Sequence, residues 1–180
     1  NIVDGDRIMG ICAKAMKAEG RLKKDTLVVT VMSNIGLKKR MTELGINVAE
    51  TKVGDRYVLE EMLKEGYSIG GEQSGHVIFL DKNTTGDGML TAIQVLDVMK
   101  STGRRMSALA NDIPIYPQVL VNVIVDNEIK HQAMEDQDLL QRIREVEGKL
   151  GSSGRVLVRA SGTEPIIRVM LEGQNTDKIS

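Results

Sequence analysis

Hydrophobic positions change period along the chain, and those changes predict its elements. Over 7–19, Ile8, Ile11, Cys12, Ala15 and Met16 recur at helical spacing, and Gly20 closes the helix. The apolar run from Thr26 to Met32 reads as a buried strand, and Ser33-Asn34 then caps a helix over 35–44 with Leu37, Met41 and Leu44 on one face. A second strand follows at 46–52. Gly54-Asp55 opens a helix with Val58, Leu59, Met62 and Leu63 inward, ended by Gly66. Strands at 67–70 and 77–80 precede a long helix from about Gly88 to Ser101, with Leu90, Ile93, Val98 and Met99 among its apolar positions. This alternation predicts an open α/β sheet, mostly parallel or mixed, covered by helices. If its first three strands are parallel, Ser33-Asn34, Val53-Gly54-Asp55 and Gly71–His76 lie beyond their carboxyl ends, where such sheets bind ligands.

The pattern changes after Gly103. A short helical stretch leads to Asp112-Ile-Pro-Ile-Tyr-Pro117, a linker by its two prolines. Alternating Val119, Val121, Val123 and Val125 predict a strand over 119–126. Leu139, Ile143, Val146 and Leu150 then form the apolar stripe of a helix whose charges, over 128–148, read as its solvated face. His131 reads as solvated with them. Short strands at 155–160 and 166–171 flank Ser161-Gly-Thr-Glu-Pro165, and one more helix would begin near Ser180. The expected division is an α/β domain over 1–103 and a smaller α+β domain, with a mostly antiparallel sheet, over 104–180.

Composition narrows the functions. With 24 Lys and Arg against 25 Asp and Glu, the net charge of −1 argues against broad nucleic-acid or polybasic membrane binding. Aromatic residues are only 2%, too few for a base-stacking surface. No apolar run is long enough to cross a bilayer. Cys12 is the only cysteine, which excludes an intrachain disulfide and a Cys-based zinc site, and fits a buried thiol in a reducing cytoplasm.

Four segments carry candidate chemistry. Gly70-Gly-Glu-Gln-Ser-Gly-His76 sets a carboxylate, an amide, a hydroxyl and an imidazole among glycines that let the backbone approach a ligand. Glu72 can accept hydrogen bonds from two adjacent hydroxyls, as a sugar ring presents, and His76 can donate to phosphate or move protons near neutral pH. A plain polar turn between strands is the alternative. Arg159-Ala-Ser-Gly-Thr-Glu-Pro-Ile-Ile-Arg168 crowds two hydroxyls and backbone amides into a tight loop between two arginines, a pattern that can form an anion nest. Each charge-assisted contact there is worth about 1.5–3 kcal/mol. The alternative is a hairpin whose Ser and Thr only cap the turn; Glu164 would have to point away from an anion or hold an arginine. In Val53-Gly-Asp-Arg-Tyr57, Asp55 reads as a helix cap, with Arg56 and Tyr57 as lesser candidates for substrate contact. Asp4-Gly-Asp-Arg7 offers only two carboxylates, fewer oxygens than Mg²⁺ needs, and reads as a helix start capped by Asp6.

Together these segments resemble the α-D-phosphohexomutase superfamily. Gly71-Glu-Gln-Ser-Gly-His76 is similar to its sugar-binding loop, and Arg159-Ala-Ser-Gly-Thr-Glu-Pro165 to its phosphate-binding loop. Gln73, the stretch Gly54-Asp-Arg-Tyr-Val58 and this form of the second loop are most similar to the bacterial branch acting on glucosamine phosphates. Branches acting on mannose or glucose phosphates more often carry Met at position 73. The resemblance implies that the chain holds the third and fourth of the family's four domains, with the last helix incomplete. It implies sugar contacts from Glu72, Gln73, Ser74 and Gly75, His76 at the reacting centre, and a phosphate held by Arg159, Ser161, Gly162 and Thr163, with Arg168 beside them.

The implied reaction interconverts glucosamine 6-phosphate and glucosamine 1-phosphate through a phosphoserine and a bisphosphate, feeding synthesis of UDP-N-acetylglucosamine and the bacterial cell wall. The partners implied are the phosphosugar and the missing N-terminal domains, with a homodimer of the whole protein compatible. The family's phosphoserine and its Asp-x-Asp-x-Asp-Arg magnesium loop do not occur here. Mg²⁺ is thus expected in the whole enzyme on ligands outside this chain, and the chain alone is expected to be inactive. A hinge near 103–115 and a hollow shared by 71–76 and 159–165 are further expectations. The competing readings are a mutase for mannose or glucose phosphates and a non-catalytic anion- or nucleotide-binding module.

Overall fold

The computed structural model describes residues 2–176 and 179, without the side chains of His131 and Ser152. The solvated reading of His131 and the helix expected to begin near Ser180 lie outside the described residues. The described chain forms two compact units, residues 1–115 and 116–180.

In the first unit, β1 (Thr26–Thr30) runs parallel to β2 (Asn47–Thr51) on one side and to β3 (Ile69–Gly71) on the other, and β4 (Val77–Phe79) pairs antiparallel with β3. The sheet is mixed, in the order β2-β1-β3-β4. Strand alternation divides its core. Leu27 and Val29 join Met9, Cys12, Met16, Leu37, Met41 and Ile69, beneath α1 (Gly5–Ala18), α2 (Ile35–Glu43), α4 (Gly88–Thr102) and α5 (Met106–Asn111). Val28 faces the other way, against Val58 and Met62 of α3 (Asp55–Glu65). Helices thus cover both faces, which is why β1 is buried along its whole length. Burial also pushes the Cys12 thiol up to about 12, since the uncharged form alone suits its apolar surroundings.

Three expectations change here. Leu63 and Ile93 face outward, 58% and 60% exposed, so α3 and α4 bury narrower stripes than their apolar content suggests. Asp4, not Asp6, caps α1, accepting from the Arg7 N–H at 3.0 Å. Asp6 is fully buried instead, and its carboxylate accepts from the Asn34 N–H at 2.7 Å. The chain also divides later than residue 103. Arg104 forks onto Asp112 at 2.7 and 3.0 Å, Lys14 of α1 reaches the same carboxylate at 2.7 Å, and Leu109 and Ile113 sit in the first core. Those contacts hold α5 and the chain through Ile115 in the first unit.

The second unit is an antiparallel sheet in the order β5-β7-β6: β5 (Gln118–Ile124), β7 (Ile166–Gly173) and β6 (Gly154–Ala160). The helical stretch after β5 is broken into α6 (Lys130–Ala133) and α7 (Gln137–Leu150), with Asp136 capping the latter. The predicted stripe holds: Leu150 is buried, and Leu139, Ile143 and Val146 are half-buried. Glu172, fully buried in β7, receives Arg155 of β6 at 2.6 Å and Gln118 of β5 at 3.0 Å, tying the three strands together.

Candidate functional site

The turn between β3 and β4 carries Glu72, Gln73, Ser74, Gly75 and His76, and neighbouring backbone holds it. Inside the turn, the Glu72 N–H donates to the His76 carbonyl at 3.0 Å and the Gly75 N–H to the Glu72 carbonyl at 2.9 Å. Gly75 sits at φ +102°, a conformation that favours glycine. From outside, the Gly5 N–H at the start of α1 donates to the Gln73 carbonyl at 3.0 Å. A methyl group at Gly5 would lie under 3.0 Å from the Glu72 and Gln73 carbonyls, so the helix start and the turn meet backbone to backbone.

Two side chains of this turn have defined partners. Glu72 accepts from the Gly54 N–H at 3.1 Å, which joins the loops after β2 and β3 at the carboxyl edge of the sheet. The His76 Nε2 accepts from the Gly86 N–H at 3.2 Å and stands 3.4 Å from the Asp55 carboxylate. Gly86 admits the imidazole because it lacks a side chain. Nε2 thus lies between the Gly86 amide and the Asp55 carboxylate, which together orient the imidazole. Ser74 is exposed, and Gln73 and Gly75 are half-buried.

The segment after β2 differs from its sequence reading. Gly54, at φ +130°, is the helix cap, and Asp55 is the first residue of α3. Arg56 turns away to Glu60 at 2.7 Å and is 82% exposed, so it does not join the turn. Tyr57 packs against Gly54 and is 43% exposed. The residue this segment brings to His76 is Asp55, which sequence reasoning took for a cap.

In the second unit, residues 161–165 join β6 to β7, and the Ser161 N–H closes the hairpin on the Ile166 carbonyl at 2.9 Å. Ser161 is buried, and its hydroxyl accepts from the Glu164 N–H at 3.2 Å. That contact braces the turn and leaves the O–H of Ser161 as a donor. The N–H groups of Gly162 and Thr163, both exposed, donate to no acceptor among the described residues. Glu164 pairs with Arg168, one of the two dispositions expected of it.

Arg159 and Arg168 are direct cross-strand partners. Like charges so placed repel. Arg168 has Glu164, yet its Nε is buried without a hydrogen-bond partner. Arg159 has no carboxylate partner among the described residues. Burial, and then the charge of Arg168, lower its pKa, so an anion arriving here would relieve an existing strain on its charge. Sequence reasoning missed Lys130, assigned to a solvated face. It is 6% exposed, and its Nζ donates to the carbonyls of Ser161 at 2.7 Å and Glu164 at 3.1 Å. Nothing in its local pattern distinguishes it from its charged neighbours.

No group of three or more His, Cys, Asp or Glu among the described residues could hold a metal ion. Asp4 and Asp6 are engaged in the cap and the buried contact to Asn34, so they do not assemble a Mg²⁺ site. No helix of the described residues is long and apolar enough to cross a membrane.

Residues 4–116 match the model of the phosphoglucomutase/phosphomannomutase alpha/beta/alpha domain III, and residues 120–180 match that of the C-terminal domain. The chain belongs to the phosphoglucomutase/phosphomannomutase family. The two matches follow the two compact units, the first running one residue past Ile115. Among curated members of the family, the phosphoglucosamine mutase of Caldanaerobacter subterraneus subsp. tengcongensis is 58% identical over 180 residues, covering 100% of this chain and 40% of that protein. The phosphoglucosamine mutase of Alkaliphilus oremlandii is 58% identical over 179 residues, 99% of this chain and 40% of its own length. The chain therefore spans about 40% of the length of these relatives. Aspergillus fumigatus N-acetylphosphoglucosamine mutase, solved in complex with GlcNAc-6P and magnesium, shares the fold at a TM-score of 0.82 and 18% identity, covering 99% of this chain and 45% of that one.

Proposed function

We propose that the chain supplies the sugar-recognition and phosphate-recognition elements of a phosphoglucosamine mutase, an enzyme interconverting glucosamine 6-phosphate and glucosamine 1-phosphate. The observation that carries this reading is the loop from Arg159 to Arg168: opposed cations, one without a counter-ion, beside two N–H groups free to bind an anion. The sugar assignment leans on the 58% identity to phosphoglucosamine mutases along the whole chain.

In this reading Arg159, Gly162 and Thr163 hold the phosphate that is not being transferred, with Arg168 adding charge. Ser161 keeps the turn in shape. Glu72 accepts from sugar hydroxyls, and its contact to the Gly54 N–H fixes the carboxylate for that task. Gln73, Ser74 and Gly75 line the same turn. His76 holds or moves a proton at Nε2 beside the reacting oxygen, with Asp55 and Gly86 setting the imidazole. Arg56, paired with Glu60, has no part in it, and Tyr57 remains a candidate contact from the first turn of α3. A bisphosphate intermediate must present either phosphate to the reacting centre, so one steady grip on the idle phosphate suits the chemistry. The phosphoserine and the Mg²⁺ site are assigned to the part of the enzyme that this chain does not span, and the chain alone is expected to bind without turnover.

The test is Arg159→Ala in the whole enzyme. KM for glucosamine 6-phosphate should rise about tenfold or more, from losing a charge-assisted contact to phosphate. An unchanged KM would contradict the phosphate role. Assaying glucosamine, glucose and mannose 6-phosphates together separates this reading from a mutase for the neutral sugars.

A further inference from the structure

We propose that Lys130 is a positioning residue for the phosphate-binding loop, aiming the Gly162 N–H at the anion and adding a fixed positive charge beneath it. The inference rests on reading 159–168 as a phosphate site. Three observations on the second unit carry it. Lys130 is buried, yet its ammonium meets no carboxylate among the described residues. A buried cation is costly without hydrogen bonds, and the partners it has are two carbonyl oxygens of one short loop, those of Ser161 and Glu164. A trans peptide points its C=O and N–H in opposite directions. Drawing the Ser161 carbonyl toward Lys130 therefore turns the Gly162 N–H away from it, to the side where Gly162 and Thr163 are exposed.

The lysine is placed for this by its own segment. The Val125 N–H, just past β5, donates to the Pro165 carbonyl at 3.0 Å, and the Lys130 N–H bonds back to the Asp126 carbonyl at 3.0 Å. The stretch 125–130 thus runs against the 161–165 loop and delivers one ammonium to its carbonyl side. The Ser161 carbonyl on one side, the Gly162 amide on the other and a charge behind the carbonyl make a polarised anion site. Glu164 does not cancel that charge, because its carboxylate is engaged by Arg168. A purely structural filler at this place needs no charge; a residue that tunes an anion site does.

The experiment measures glucosamine 6-phosphate and inorganic phosphate binding to this chain by amide NMR, following Gly162 and Thr163, alongside melting temperatures. Lys130→Met, similar in length but uncharged, should weaken both ligands about tenfold. Lys130→Arg should recover a large part of the affinity, and Lys130→Gln, which keeps a donor without the charge, should fall between. If Lys130→Met does not fold, the Gln and Arg variants carry the same comparison. Binding within twofold of the parent in the Met or Gln variant, while Arg159→Ala abolishes it, would overturn the role of Lys130 alone. So would a loss that vanishes well below the variant's melting temperature, which marks a structural role. Parent-like binding in the Arg159→Ala variant as well would instead overturn the phosphate site itself.

Discussion

His76 is aimed by a residue without a side chain and by the first residue of a helix. Gly86 admits the imidazole edge, and Asp55 meets it from α3. Gly86→Ala would set a methyl group against a ring rather than against backbone, and a ring can move. The expected outcome is a melting temperature close to that of the parent with turnover of the whole enzyme reduced about tenfold or more, measured by thermal unfolding and steady-state kinetics. Parent-like turnover would remove His76 from the reacting centre. Much of this detail was closed to the sequence. Glu72, His76, Arg159 and Ser161 stood out as candidates because their residue types cluster in short glycine-bearing loops. Asp55 and Lys130 were not: each has a sufficient local explanation, a cap or a solvated face, and its actual partner lies 21 or more residues away. Gly54 shows the same limit from the other side, capping α3 through its own backbone and leaving Asp55 free to face the turn.

Elements were easier to read than their ends and their outward faces. All seven strands and the long helices follow from hydrophobic period, because burial on one face or two leaves a distinct spacing. Leu63 and Ile93 fit the helical period yet face outward, since period specifies a stripe without its width. The boundary after α4 was misjudged because the two prolines mark a linker while α5 is attached both by Leu109 in the first core and by ion pairs to Asp112 just after it. Asp112 accepts from Arg104 and Lys14, and these hydrogen bonds hold its carboxyl well below the usual carboxylate range. A depressed folded-state pKa contributes stability that is present above the ordinary carboxylate pKa and lost as pH falls through the folded one. Asp112→Asn should therefore lower the melting temperature of the first unit at neutral pH, by roughly 1 kcal/mol of stability for so partly exposed a network. The deficit should shrink below about pH 4, measured by thermal unfolding across pH. A deficit independent of pH would assign the effect to packing.

At the scale of the molecule, the two units divide the labour by the chemistry each topology offers. The parallel strands of the first unit gather the loops after β2 and β3 at one edge, where Gly54 and Glu72 join them. The hairpin of the second unit sets two arginines opposite each other and turns two amides outward. In the proposed reading, phosphoryl transfer belongs to the part of the enzyme that this chain does not span. The claim at the centre is that the loop over 159–168 in the second unit holds the phosphate of a phosphosugar. It is tested most directly by titrating the chain with glucosamine 6-phosphate and with inorganic phosphate while following backbone amides by NMR. Both ligands should shift Gly162 and Thr163 in a saturable way, with the phosphosugar and inorganic phosphate competing for them. Saturating phosphosugar that leaves Gly162 and Thr163 unmoved would contradict it.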